Sequence, residues 1–273
     1  MVFFLFLYSF DNYIFDTMKS RKKCRYYNMI IKKITSKQDG LKLEIAIMEC
    51  KNPKGIVQFS HGMAEHKERY FDFMQYLNER GYICVIHDHR GHGGSVKSKN
   101  DYGYFYTENA NYIVDDLFQV TEYVRDMYPG LEVTLFSHSM GTLVARCYLK
   151  KYDEYIRCLI LCGPPTENSA ASFAVGLAKI IKPFFKEKKG NGLLNKMAFA
   201  GYESGNRWLS KNLENVDQYE ADELCGFLFT TNGFINLFQL MVKAFDKKDW
   251  KVTNGELPIL MIAGQEDLSL IHI

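Results

Sequence analysis

The chain has 273 residues, of which 47% are apolar and 24% charged, with a net charge of +2. That length suits one large α/β domain, the composition is that of a globular protein, and the charge is too small to mark a nucleic-acid partner. The seven cysteines, at 24, 50, 84, 147, 158, 162 and 225, show no Cys-x-x-Cys pair. The expectation is reduced thiols in a cytoplasmic protein, with no structural metal.

In chain order, residues 2–10 are apolar, then Asp11 and Asn12 interrupt. The stretch is too short to span a bilayer. It also lacks the basic leader and small-residue cleavage site of a signal peptide. A basic run follows at Lys19, Arg21, Lys22, Lys23 and Arg25, and then Met29. The expectation is that residues 1–28 are a non-native or disordered extension and that the domain starts at Met29. A short membrane-surface anchor with a basic flank is the alternative.

Leu41, Leu43, Ile45 and Ile47 alternate, placing four apolar side chains on one strand face. Residues 56–59 read as a buried strand, 67–80 as a helix ended by Gly81, and 82–86 as another buried strand. Residues 111–128 form a helical pattern closed by Pro129-Gly130, and 131–136 a strand. Leu143, Val144, Cys147 and Tyr148 then recur at helical spacing, and 156–161 is the next strand. Strands alternating with helices predict a mostly parallel sheet with helices on both faces. Between 166 and 250 no strand pattern occurs; the segment is aromatic-rich and helical until 258–263 restores a strand.

The strongest chemical signal is Ser139, in Ser137-His138-Ser139-Met140-Gly141 between a predicted strand and a predicted helix. A serine on a sharp strand-to-helix turn is a nucleophile elbow: the turn lifts its hydroxyl above the sheet, and the helix aims amides at a developing oxyanion. The first motif position departs from glycine, but Ser137 is small. In this fold the oxyanion amides come from the residue after the nucleophile and from an earlier strand-end loop. Those are Met140 and, in His61-Gly62-Met63-Ala64-Glu65-His66, Met63. The triad order Ser, acid, His points to Asp267, in Gly264-Gln265-Glu266-Asp267 after the restored strand; Glu266 is the alternative. His87, His89 and His92 lie around Asp88-His89-Arg90-Gly91-His92-Gly93, with loop spacing rather than a ligand pattern, which favours a structural role over a metal or catalytic one.

His-Gly-Met-Ala-Glu-His at 61–66, Asp-His-Arg-Gly-His-Gly at 88–93, Ser-His-Ser-Met-Gly at 137–141 and Gly-Gln-Glu-Asp at 264–267 together resemble the monoacylglycerol lipase and lysophospholipase branch of the α/β-hydrolases. The likeness covers about residues 29–267. It implies an α/β-hydrolase core at 29–165 and 251–267 and a helical cap at 166–250, inserted after the sixth strand. It also implies an acyl-enzyme mechanism on a small single-chain lipid ester, with no metal or organic cofactor. Within the cap, 173–186 mixes Val175, Leu177, Ile180, Ile181, Phe184 and Phe185 with Lys179, Lys182 and Lys186. An inward-packed lid helix with solvated lysines is expected; peripheral contact with a lipid surface is the alternative.

The resemblance places the base histidine a further helix and strand beyond the acid. Only His272 follows Asp267, too close to allow that unit. The six residues 268–273 back-translate to a transposon end used in preparing sequencing libraries. The expectation is therefore an artefactual tail after Asp267, a missing last strand and helix, an exposed sheet edge, and little esterase activity from an unassisted serine. Two other readings stay open. One is a peptidase of the proline-iminopeptidase kind using cap acids (Glu203, Glu214, Asp217, Glu220, Asp222, Glu223). The other is a hydrolase-fold binding protein without turnover.

Overall fold

In a computed structural model of the chain, residues 28–199, 210 and 212–264 are described. Among them, seven strands form one sheet: β1 (Met29–Thr35), β2 (Lys42–Met48), β3 (Gly55–Ser60), β4 (Tyr82–His87), β5 (Val133–His138), β6 (Cys158–Cys162) and β7 (Ile259–Ile262). Their order is β1-β2-β4-β3-β5-β6-β7. The β1–β2 and β2–β4 pairings are antiparallel, and every pairing from β4 through β7 is parallel. The mostly parallel sheet expected of an α/β-hydrolase is what the chain builds. Because β3 lies between β4 and β5, the loops leaving their carboxyl ends meet along one edge of the sheet, where α/β folds bind ligands.

Helices cover both faces. Phe71–Asn78 (α1) packs on one side, where Phe71 and Met74 join Ala46, Met48, Phe59 and Ile86. Asn111–Met127 (α2) and Met140–Tyr152 (α3) pack on the other. The apolar stripe of α2 is Ile113, Val114, Leu117, Val120 and Val124, at three- and four-residue spacing. β2 shows why the strands run so apolar: Ile45 and Ile47 enter one cluster while Ala46 and Met48 enter the other. Gln58 is a buried polar exception within β3. Its Nε2 donates to Leu117 O at 2.9 Å and its Oε1 accepts from Thr121 Oγ1 at 2.8 Å, tying α2 to the sheet without an unpaired group.

Several elements differ from the sequence reading. The helix expected at 67–80 begins as a 3-10 turn, Lys67–Tyr70, and becomes α-helical only at Phe71. Asp88 takes the Lys67 backbone amide at 2.8 Å and its ammonium at 2.9 Å, which anchors that turn to the neighbouring loop. The strand expected at 156–161 runs over Cys158–Cys162. β1, whose Met-Ile-Ile-Lys-Lys-Ile-Thr pattern lacks a clean period of two, was not foreseen; it is a half-exposed edge strand held by β2.

After β6 come Ala171–Ile181 (α4), Gly192–Ala198 (α5), Leu213–Ala221 (α6) and Thr231–Phe245 (α7). α7 lies within the predicted cap range and packs into the main apolar cluster: Phe234, Ile235 and Leu240 are fully buried there, each worth about 1.5–3 kcal/mol. α4 turns Ala174, Val175, Ala178 and Ile181 onto the core and leaves Phe173 and Ile180 outside. β7 edges the described sheet with Ile259, Leu260 and Met261 exposed. No described helix is long and apolar enough to cross a membrane. Residues 1–27, Glu203 and the tail at 268–273 lie outside the described residues, and so does what was expected of them.

Candidate active site

Ser139 sits between β5 and α3 with φ 48° and ψ −120°, a left-handed conformation that costs a non-glycine residue about 1–3 kcal/mol. The surroundings impose it. The Ser139 amide still pairs with the neighbouring strand, donating to Cys162 O at 3.0 Å, and Thr142 already donates back to Ser139 O at 2.9 Å. The chain therefore changes from strand to helix at a single residue. Gly141 permits the reversal, because a Cβ there would meet Ser60 O at 2.2 Å and His61 O at 2.7 Å. Ser137 is accommodated in the motif's first position because its hydroxyl donates to Ile160 O at 3.0 Å. Gly141→Ala must push α3 off β3, at an expected cost of about 1–3 kcal/mol, measurable as a lowered urea midpoint.

The loop after β3 passes directly over the elbow. A Cβ on Gly62 would lie 3.3 Å from Ser139 Cβ, so Met63 follows a backbone in contact with the serine. Among the described residues neither the Met63 nor the Met140 amide donates to a protein acceptor. Glu65 holds the loop in place. Its buried carboxylate accepts from the Gly62 amide, from Tyr70 Oη at 2.9 Å, from His138 Nδ1 at 3.2 Å and from Arg69 Nε at 3.0 Å. Burial opposes its charge, but His138 and Arg69 outweigh burial and hold the carboxyl well below the usual range. Sequence reasoning missed this role for Glu65. Its signal was the acid three residues after Gly62, in reach of that glycine's amide.

The four histidines beneath this edge are structural. His61 Nε2 accepts from the His89 amide at 2.9 Å while its Nδ1 donates to Gly62 O at 2.8 Å. His92 Nδ1 donates to Arg90 O at 3.0 Å and its Nε2 accepts from the Ala64 amide at 3.3 Å. His89 Nε2 meets Ser60 Oγ at 3.0 Å, and His87 packs edge-on against His89. Each ring is wholly buried, and burial lowers its pKa, to about 3 for His87 and His92. They are neutral when folded and protonate when the chain opens. Their stabilisation is thus complete above the unfolded value of 6.5 and is lost as pH falls below it. At pH 5 His87 and His92, whose folded values lie near 3, each forfeit about 2 kcal/mol relative to neutral pH. Urea midpoints should fall sharply between pH 7 and pH 5; equal midpoints would show that these rings are not buried neutral.

Of the residues read from the sequence, the structure brings together Ser139, Met140 and Met63. Asp267, Glu266 and His272 lie outside the described residues. Among the described residues no histidine hydrogen-bonds Ser139.

Comparison with known proteins fits this geometry. Residues 51–270 match the serine aminopeptidase S33 family. A monoglyceride lipase homolog from monkeypox virus is 34% identical over 219 residues, covering 78% of this chain and 70% of that protein. Human monoglyceride lipase is 29% identical over 175 residues, 63% of this chain and 52% of the human protein; the chain spans about half the length of that relative. A thermostable carboxyl esterase from Bacillus coagulans, solved with glycerol, superimposes with a TM-score of 0.73 at 20% identity, over 86% of this chain and 89% of its own, and so shares the fold. The elbow, the strand order and these matches agree: the chain belongs to the serine aminopeptidase S33 family of α/β-hydrolases, of the monoglyceride lipase and lysophospholipase type.

Proposed function

We propose that the protein is a serine hydrolase that cleaves the carboxylic ester of a single-chain lipid, a monoacylglycerol or lysophospholipid. The observation that carries this is the Ser139 elbow lying under the Gly62 loop, with the Met63 and Met140 amides uncommitted. Ser139 Oγ attacks the acyl carbonyl, and the two amides receive the negative charge that forms on its oxygen. The mechanism also requires a base histidine, which no described residue supplies, oriented by Asp267, to take the serine proton and return it to the departing alcohol. Water then attacks the acyl-enzyme by the same steps in reverse. No step calls for a metal or an organic cofactor.

The cap acids give less support to an aminopeptidase. Glu214, Asp217, Glu220 and Glu223 are exposed, and Asp222 is turned onto His66, so none is gathered where a substrate amine would sit above Ser139. Parallel assays of the chain and of the product of its native locus against monoacylglycerol, lysophospholipid and aminoacyl substrates test the reading. Lipid-ester hydrolysis is expected to dominate. Turnover of aminoacyl substrates alone would overturn it, and lipid binding with no turnover from either protein would favour the binding-protein reading.

The cap's outer surface supports contact with the lipid phase in which such a substrate resides. Phe173, Ile180 and Phe184 are 70, 71 and 83% exposed, a far larger apolar display than an inward-packed lid helix needs. Lys179 and Lys186 are exposed on the same stretch. In flotation assays with anionic phospholipid vesicles, Phe173→Glu with Phe184→Glu should reduce bound protein about tenfold or more. Unchanged flotation would remove the membrane from this account.

A further inference from the structure

The cap meets the loop carrying Met63 along one seam. Ala64 O accepts from the Gly226 amide at 2.9 Å and from Tyr219 Oη at 3.0 Å. Beside these bonds, His66 Nε2 stands 2.9 Å from Asp222 Oδ2. Cys225 Sγ completes the group, whose three candidate ligand atoms all lie within 4.8 Å of one another. The turn after α6 sets two of them side by side: the Leu224 amide donates to Asp222 Oδ1 and the Cys225 amide to Asp222 O, each at 2.9 Å. That leaves Asp222 Oδ2 facing His66 Nε2.

His66 is buried, 5% exposed, and its other ring nitrogen, Nδ1, is bound to Glu68 Oε2. One imidazole nitrogen facing a ligand cluster while the other is held by a carboxylate is the arrangement that orients zinc-bound histidines. The donors are also of the kind zinc takes: an imidazole nitrogen, a carboxylate oxygen and a thiolate sulfur, with bonds of about 2.0–2.3 Å and a water in the fourth position. Tetrahedral spacing requires the 2.9 Å His66–Asp222 contact to open by a few tenths of an ångström and Cys225 Sγ to approach by about an ångström, which rotation of the half-buried Cys225 side chain can supply. The nearby cations are already paired, Arg69 with Glu65 and Lys67 with Glu44 and Asp88. A dication with one carboxylate and one thiolate is neutral overall.

We propose that His66, Asp222 and Cys225 bind one zinc-type divalent cation, and that the ion staples the cap to the loop that lies over Ser139. This departs from the sequence-based expectation of no metal. Spacing could not reveal the site, because His66 and Asp222 are 156 residues apart.

The test uses the full chain, stripped with a chelator and then titrated with Zn²⁺ against a chromogenic indicator and, separately, with Co²⁺ by absorption. One equivalent of Zn²⁺ is expected to bind, and Co²⁺ should show a near-ultraviolet thiolate charge-transfer band. Cys225→Ser should abolish the band and weaken Zn²⁺ binding at least tenfold. Glu68→Gln, at an exposed position outside the ligand set, should keep the band and weaken binding by about 10–100-fold. Cys158→Ser, on β6, should change neither. Absence of a bound equivalent, or a band and affinity that survive in Cys225→Ser, would overturn the proposal. If Cys225→Ser does not fold, Asp222→Asn provides the same affinity test, and undiminished binding in that variant would likewise overturn it.

Discussion

Ser139→Ala removes acyl-ester hydrolysis, with a fall in kcat on the order of 10⁶-fold for an enzyme with its full triad. The variant keeps the Met63 and Met140 amides, so substrate binding should survive while turnover does not. The backbone makes a second, independent prediction. Alanine suffers the same steric penalty as serine at φ 48°, ψ −120°, whereas glycine does not. Ser139→Gly should therefore be inactive and also more stable than the parent by about 1 kcal/mol or more, with Ser139→Ala showing no such gain. A kinetic comparison on monoacylglycerol, paired with urea unfolding of all three proteins, reads both effects. More than a small residue of turnover in Ser139→Ala would show that another group is the nucleophile. Equal stability of the glycine and alanine variants would show that the elbow is not strained.

Arg90→Met is expected to destabilise the fold by about 3–5 kcal/mol, the largest stability effect outside the apolar core. Arg90 is fully buried. Its guanidinium meets Asp116 Oδ2 at 2.7 Å, Asp39 Oδ2 at 3.0 Å and Phe105 O at 3.0 Å, joining the segment after β1, the loop after β4 and helix α2. Asp116 is itself buried and, apart from Arg90, accepts from Ser36 Oγ at 2.6 Å. Methionine fills much of the arginine volume but leaves the Asp116 carboxylate without its cation, in a place where water cannot replace it. Arg90→Met with Asp116→Leu should recover much of the loss, because removing both charges removes the uncompensated one. Denaturant unfolding of the two single variants and the double variant measures the coupling. Additive losses would show that the pair is not coupled.

These two residues mark the line between what could be read and what could not. The elbow was legible because everything that builds it is local. A strand-period run, a small-residue pentapeptide and a helix-period run are contiguous, and each periodicity reports which face of its own element is apolar. The same reasoning found the core strands and helices and placed Met63 on the loop after β3. It missed β1, whose residues lack a period and which forms only because β2 supplies its hydrogen bonds. It could not say which surface α7 packs on, since helical spacing shows that a face is apolar but not what covers it. Asp88 shaping the helix start at Lys67, Glu65 reaching His138, and the ionic group around Arg90 were invisible for a related reason. A carboxylate in a sequence carries no mark of the partner it will meet.

By itself, the sequence determined the α/β architecture, the serine on its turn and the loops that belong beside it, because hydrophobic period and turn chemistry act over a few residues. Only the tertiary structure decided which strand lies against which. It also decided that four histidines are neutral and structural, that Glu65 holds the loop beside Ser139, and that His66, Asp222 and Cys225 converge. Those outcomes depend on distances between residues up to 156 positions apart. They depend as well on the cost of burying a polar group unpaired, which no local pattern encodes.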